Sequence, residues 1–127
     1  MPAKKVKSVD SLIEQIAELC HEVNRRYCKS LGDSSHKTWA ETPEDIKNGT
    51  RLGVIFRLSN RDITPEAMHR NWVDGKIKDG WKYGPVKDHT KKEHPNLKPY
   101  LQLPLTERVK DIIFMAIVDS LASMKRP

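Results

Sequence analysis

Cysteine is scarce in this 127-residue sequence: Cys20 and Cys28 are the only two. They stand eight apart in what reads as one helix, where a rise of about 1.5 Å per residue separates them too far along the axis for a disulfide. Reduced thiols are expected, in keeping with a reducing compartment. No apolar run approaches the roughly 18 residues that a membrane span needs. The opening MPAKKVKSVD passes into an amphipathic segment rather than the apolar stretch of a signal peptide. A soluble, cytoplasmic protein is expected. Catalytic signatures are missing as well: there is no nucleophile elbow, P-loop, glycine-rich dinucleotide fingerprint or paired-carboxylate motif. Asp88, His89, Glu93, His94 and several lysines could act as acids, bases or nucleophiles, but nothing arranges them into a reaction. No enzyme is expected, and no residue is assigned as catalytic. Metal-ligand pairs of the CxxC or HxxxH kind are also absent; Cys20 with His21, or His89 with His94, are poorly spaced for zinc. Neither a metal nor another cofactor is expected.

What is present is charge and helical periodicity. Lys and Arg number 23 against 17 Asp and Glu, a formal net charge of +6, which favours an anionic partner although the two signs are interspersed. With 37% hydrophobic residues the chain can form one modest core. Residues 1–8 carry Lys4, Lys5 and Lys7 and read as a flexible basic tail. Residues 9–124 read as a single compact domain.

Four helices are predicted. The first starts at Asp10 as N-cap and carries Leu12, Ile13, Ile16, Ala17, Cys20, Val23 and Tyr27 on one stripe to about Leu31, where Gly32 stops it. Thr42 as N-cap and Pro43 at the first helical position open the second, which runs to about Ser59. Gly49 and Gly53 weaken its middle unless another helix crosses closely there. Thr64-Pro65-Glu66 opens the third, with Met68, Trp72, Val73 and Ile77 on one face before Gly80. Residues 81–104 hold prolines at 85, 95, 99 and 104 and predict turns and no long helix. The fourth opens at Leu105-Thr106-Glu107 and is lined by Val109, Ile112, Ile113, Ala116, Ile117, Val118 and Leu121. The fold class is therefore mostly α, with a long ordered Pro/Gly-rich loop before the last helix.

The chemistry concentrates in GWKYGPVKDHTKKEHPNLKPY, residues 80–100. Here Trp81, Tyr83 and Tyr100 interleave with Lys82, Lys87, Lys91, Lys92 and Lys98. Aromatic rings offer stacking platforms and lysines offer charge for phosphate, while Gly84-Pro85 turns the backbone and exposes amide donors. Core rings anchoring a loop of solvated lysines fit the same spacing equally well.

At this stretch the sequence resembles the RyR domain, the repeat unit of ryanodine receptors that also occurs as small stand-alone bacterial and phage proteins. The residues that carry the resemblance are HRNWVDGKIKDGWKYGPVKDHTKKEHPNLKPYLQLP, His69 to Pro104, within a repeat core of 64–121. Residues 9–60 look like the helical extension of the stand-alone versions. One departure is Asn96, where many members place Cys after the His-Pro pair, which puts any thiol role there in doubt.

The resemblance implies a non-enzymatic binding module for a nucleotide or nucleotide-derived phosphorylated small molecule, one that senses or sequesters a signalling nucleotide. It implies Trp81 as the stacking ring, with Lys87, Lys91, Lys92 and His94 near phosphate, while Trp72 packs in the core. Tyr83, Gly84 and Tyr100 complete the candidate ligand site. A homodimer would enclose such a ligand, no membrane is involved, and the compartment is the host cytoplasm for a phage-encoded copy. The alternative is a docking module that uses the basic loop toward a protein or a nucleic-acid backbone, with nucleic acid the less expected of the two.

Overall fold

The computed structural model describes residues 2–124, with side chains from Asp10 onward. The basic tail expected over residues 1–8 therefore has its side chains outside the described residues. Four helices dominate: α1 (Pro2–Ser30), α2 (Glu44–Ser59), α3 (Pro65–Lys78) and α4 (Leu105–Met124). Among the described residues, no helix is long and apolar enough to cross a membrane. The chain divides into two compact units, one formed by residues up to Arg61 together with those from Phe114 on, the other by Asp62–Ile113.

In the first unit Asp10 lies inside α1 and does not cap it, because Lys, Ala and Val before it are all compatible with helix and no breaker intervenes. The end of α1 follows the sequence. Gly32 adopts φ 94°, and the amides of Gly32 and Asp33 donate to the carbonyls of Lys29 (3.0 Å) and Cys28 (2.9 Å), a Schellman stop that favours glycine. Ile16, Ala17, Cys20, Trp39, Val54 and Val118 form the core, with Leu12, Ile13, Leu58, Phe114, Ile117 and Leu121 packed against them. Burial pushes the Cys20 thiol up to about 12, so it stays protonated and inert.

Trp39 opens a short 3-10 turn (Trp39–Glu41) and is fixed through its polar edge: Nε1 donates to Glu14 at 2.9 Å and its backbone amide to Glu22 at 2.9 Å. Arg51 joins by donating to the same Glu14 at 2.7 Å, and the Arg51 hydrogen bond is the main reason that Glu14 titrates below the usual carboxylate range.

The start of α2 lies one residue later than the sequence suggests. Pro43 is the N-cap, and Thr42 instead donates its hydroxyl to Thr38 O at 2.7 Å, closing the preceding turn. The close approach expected along α2 exists at Gly53 and not at Gly49. A Cβ on Gly53 would meet Phe114 Cζ at 3.2 Å, whereas one on Gly49 would meet nothing within 4 Å. Arg57, nearly buried, forms a two-pronged pair with Asp119 at 2.9 and 2.7 Å.

In the second unit, Thr64 caps α3 as its sequence predicts, its hydroxyl accepting from Ala67 N at 3.2 Å with Pro65 in the first turn. Gly80, at φ 88°, ends the helix, and the Trp81 amide returns to Lys76 O at 2.9 Å.

The loop that follows is ordered, but it is not made of turns alone. Two-residue strands β1 (Lys82–Tyr83) and β2 (Glu93–His94) pair in parallel, Lys82 opposite Glu93 and Tyr83 opposite His94. The chain returns for that pairing through a tight reversal. Asp88 and Glu93 exchange both backbone hydrogen bonds (2.9 and 3.0 Å), Asp88 Oδ1 accepts from Lys91 N at 3.0 Å, and Lys92 takes φ 55°. A second 3-10 turn, Tyr100–Gln102, leads into α4.

Gly84 is the tightest point of this loop, since a Cβ there would lie 2.6 Å from Glu93 Cβ. Gly84→Ala must push β1 and β2 apart. The expected cost is about 1–3 kcal/mol, as for other overpacked sites, read as a lower urea midpoint; an unchanged midpoint would show that the two segments are not packed this way.

Candidate functional site

The candidate site is built on α3, on the loop after it and on the start of α4, all within the second unit. Helical spacing puts His69, Trp72 and Lys76 along one side of α3. The Schellman stop at Gly80 then folds Trp81 back toward that side, with Lys76 Nζ 4.5 Å from its ring centroid. β2 delivers His94 between the two indoles, 5.0 Å from Trp72 edge-on and 6.5 Å from Trp81. Extended by Tyr100 to His69 (5.9 Å), His69 to Trp72 (5.7 Å) and Trp81 to His89 (5.7 Å), the rings form a continuous row.

The roles that the resemblance implied for the two indoles are exchanged with respect to exposure. Trp81 is 3% exposed, packed rather than presented, whereas Trp72 is half-buried, with His69 stacked beside its ring and Lys76 Nζ 6.0 Å from its centroid. Of the other expected residues, His94 is half-buried beside Trp81, and Gly84 is buried against Glu93. Lys87, Lys91 and Lys92 are exposed, and Tyr83 is 54% exposed. Lys92 has a local task, donating its ammonium to Asp79 O at 2.8 Å at the end of α3. Tyr100 lies at the far end of the row, its hydroxyl donating to Arg108 O at 3.4 Å.

Trp81 Nε1 is buried and has no hydrogen-bond partner among the described residues. Leaving such a donor unsatisfied costs about 1–3 kcal/mol, so an orphaned indole N–H marks a place where a water or a ligand atom belongs.

Its neighbour His94 is a second donor. Burial, reinforced by the charges of Lys87, Lys76 and Lys110 and opposed by Glu107, lowers His94 to about 3. The ring is therefore neutral at physiological pH. Nδ1 accepts the Asn96 amide at 3.0 Å, which assigns the proton to Nε2. A neutral imidazole among three lysines suits an anion better than a cation. Asn96 also donates its side-chain amide to Glu107 at 2.7 Å, and Glu107 accepts from Lys110 at 2.8 Å. Asn96 thus holds an acid beside the site.

Sequence reasoning missed His69, Lys76, Lys110 and Asp111. His69 is buried, its Nε2 2.7 Å from Lys98 O, with Nδ1 4.0 Å from Asp111. Burial raises Asp111 to about 7, opposed by Lys110. The signal was available for His69 and Lys76, which share the face of Trp72 at spacings of three and four; it was not available for Lys110 and Asp111, which belong to another helix.

The comparison with protein families matches this part of the chain. The model of the RyR domain matches residues 57–125, more than half of the sequence and all of the site.

Asp111 and His94 make opposite contributions to stability against pH. From about pH 4 to 7 Asp111 is protonated in the folded state and ionised when unfolded, so its contribution falls as pH rises. From about pH 3 to 6.5 His94 is neutral when folded and protonated when unfolded, so its contribution rises with pH. The two offset each other across their common range. Asp111→Asn should therefore make stability climb with pH between about 4 and 6.5, and His94→Gln should make it fall, each by up to about 1.4 kcal/mol per pH unit. Chemical denaturation across that range reads both slopes; parallel profiles for the two variants would contradict the assigned charge states.

Proposed function

The chain belongs to the RyR domain family, and from that premise we propose that it is a non-enzymatic binding module for a phosphorylated, nucleotide-like small molecule. The orphaned indole N–H of Trp81 carries this reading. Trp81 Nε1 and His94 Nε2 donate to an anionic oxygen, Lys76, Lys87 and Lys110 supply the countercharge, and the half-buried Trp72 offers its indole to a base. Trp81 is then an anchoring donor, and stacking passes to Trp72. This arrangement orients and holds a ligand, and no group in it is poised to break a bond.

A docking role for the basic loop is the second reading. It is favoured by one observation: Tyr83 and Val86 stand 54% and 71% exposed next to Lys82 and Lys87, an apolar and basic surface at the tip of the loop. It predicts an electrostatic association that weakens steeply with salt and does not need the buried indole.

Trp81→Phe keeps the buried ring and deletes the donor. Calorimetric titration of the wild type with ATP, cyclic nucleotides and ADP-ribose derivatives should find a binder, and the variant should bind it roughly 10-fold or more weakly, the loss of one hydrogen bond to a charged acceptor. Absence of binding by all of them to folded protein, or equal affinity of the variant, would overturn the reading. Light scattering with and without the binder reads whether a second copy encloses it.

A further inference from the structure

The last turn of α1 and the loop after it bring together three side chains that no ligand role has yet been given. Cys28, Asp33 and His36 each offer one donor atom, and the three atoms lie within 4.8 Å of one another. We propose that these residues form a zinc(II) site at the C-terminal end of α1. The proposal is independent of the ligand site in the second unit and rests on residues that the RyR match does not cover.

The donor set fits zinc by type. A thiolate, an imidazole and a carboxylate are the three side chains that bind this borderline-soft ion, and their mixture disfavours the hard oxygen-seeking calcium and magnesium. The spacing fits as well. Zinc bonds of about 2.0–2.3 Å in a tetrahedron place ligand atoms roughly 3.3–3.7 Å apart. A cluster spread over no more than 4.8 Å is within roughly 1.5 Å of that spacing.

The geometry is held by local chain chemistry. The Schellman turn at Gly32 brings the Asp33 amide back onto Cys28 O at 2.9 Å, which puts residue 33 beside the thiol five positions earlier. Asp33 Oδ1 then accepts from both the amide (2.9 Å) and the hydroxyl (2.6 Å) of Ser35, fixing the carboxylate plane. That leaves Oδ2 directed at His36 Nδ1, 3.7 Å away. Ser35 thus acts as the outer support that orients a metal ligand.

On the other side, the Cys28 thiol donates to Asn24 Oδ1 at 3.8 Å. When zinc binds, Cys28 releases its proton to solvent, and a rotated Asn24 amide can donate N–H to the resulting thiolate. Water completes the coordination from the exposed Asp33 side. The ion would staple the end of α1 to the segment that leads into Trp39.

The test is cobalt(II), a spectroscopic stand-in for zinc, titrated into the full-length reduced protein. The expected result is a thiolate-to-metal charge-transfer band with tetrahedral d–d bands, saturating at one equivalent, released by zinc and stronger in apparent affinity as pH rises. Cys20→Ser should keep the band and Cys28→Ser should abolish it. His36→Gln and Asp33→Asn, outside the buried core, should each weaken binding at least 10-fold and decide the matter should Cys28→Ser fail to fold. No thiolate band in the wild type, a band that survives Cys28→Ser, or unchanged affinity in both His36→Gln and Asp33→Asn would overturn the proposal.

Discussion

Burial of an indole immediately after a helix stop is the constraint on which the second unit depends. Trp81 follows Gly80, whose positive φ reverses the chain, and its amide is tied to the last full turn of α3. The ring is turned inward and buried, with Lys76 over its face and the loop closed against it. The parallel pairing of β1 with β2, the buried Gly84 and the insertion of His94 between two tryptophans all serve that closure. Two-residue strands contribute little pairing energy by themselves. Their register is held by the Asp88–Glu93 reversal and by the rings that it delivers.

Features set by neighbouring residues were legible in the sequence. Thr64-Pro65 starts α3 and Gly32 and Gly80 stop helices because caps and left-handed stops are decided within about five residues. The mostly helical class followed from apolar periodicity for the same reason. Position 42 shows the limit: Thr42-Pro43 carries the same signal as Thr64-Pro65, yet the Thr42 hydroxyl was taken by Thr38 O and the helix started one residue later. The β1–β2 pair was not legible, since two residues cannot show a period and their partners are brought together by a turn elsewhere.

The site was legible in its residue types and less so in its roles. Trp81 and His94 do come together, but exposure of the two tryptophans could not be assigned from spacing, because Trp72 sits in the middle of α3 and Trp81 beyond its end, where the chain reversal decides how the ring is covered. The basic character of the loop was plain, but the lysines around His94 are Lys76, Lys87 and Lys110, drawn from a helix, a loop and a second helix. Lys92, conspicuous in sequence, is spent on a helix end. Buried His69 and half-buried Asp111 meet at 4.0 Å at the far end of the ring row, where neither residue stood out alone.

The first unit is discontinuous along the chain, since its core draws on α1, α2 and the second half of α4, including Phe114, Ile117, Val118 and Leu121. During synthesis α1 and α2 emerge before the second half of α4, so the surface that Val118 and Leu121 must cover stays open until all of the second unit has been made. The second unit is one uninterrupted stretch and carries no such delay. The Arg57–Asp119 pair, 62 positions apart, is therefore a latch that can close only after the whole intervening second unit has been synthesised.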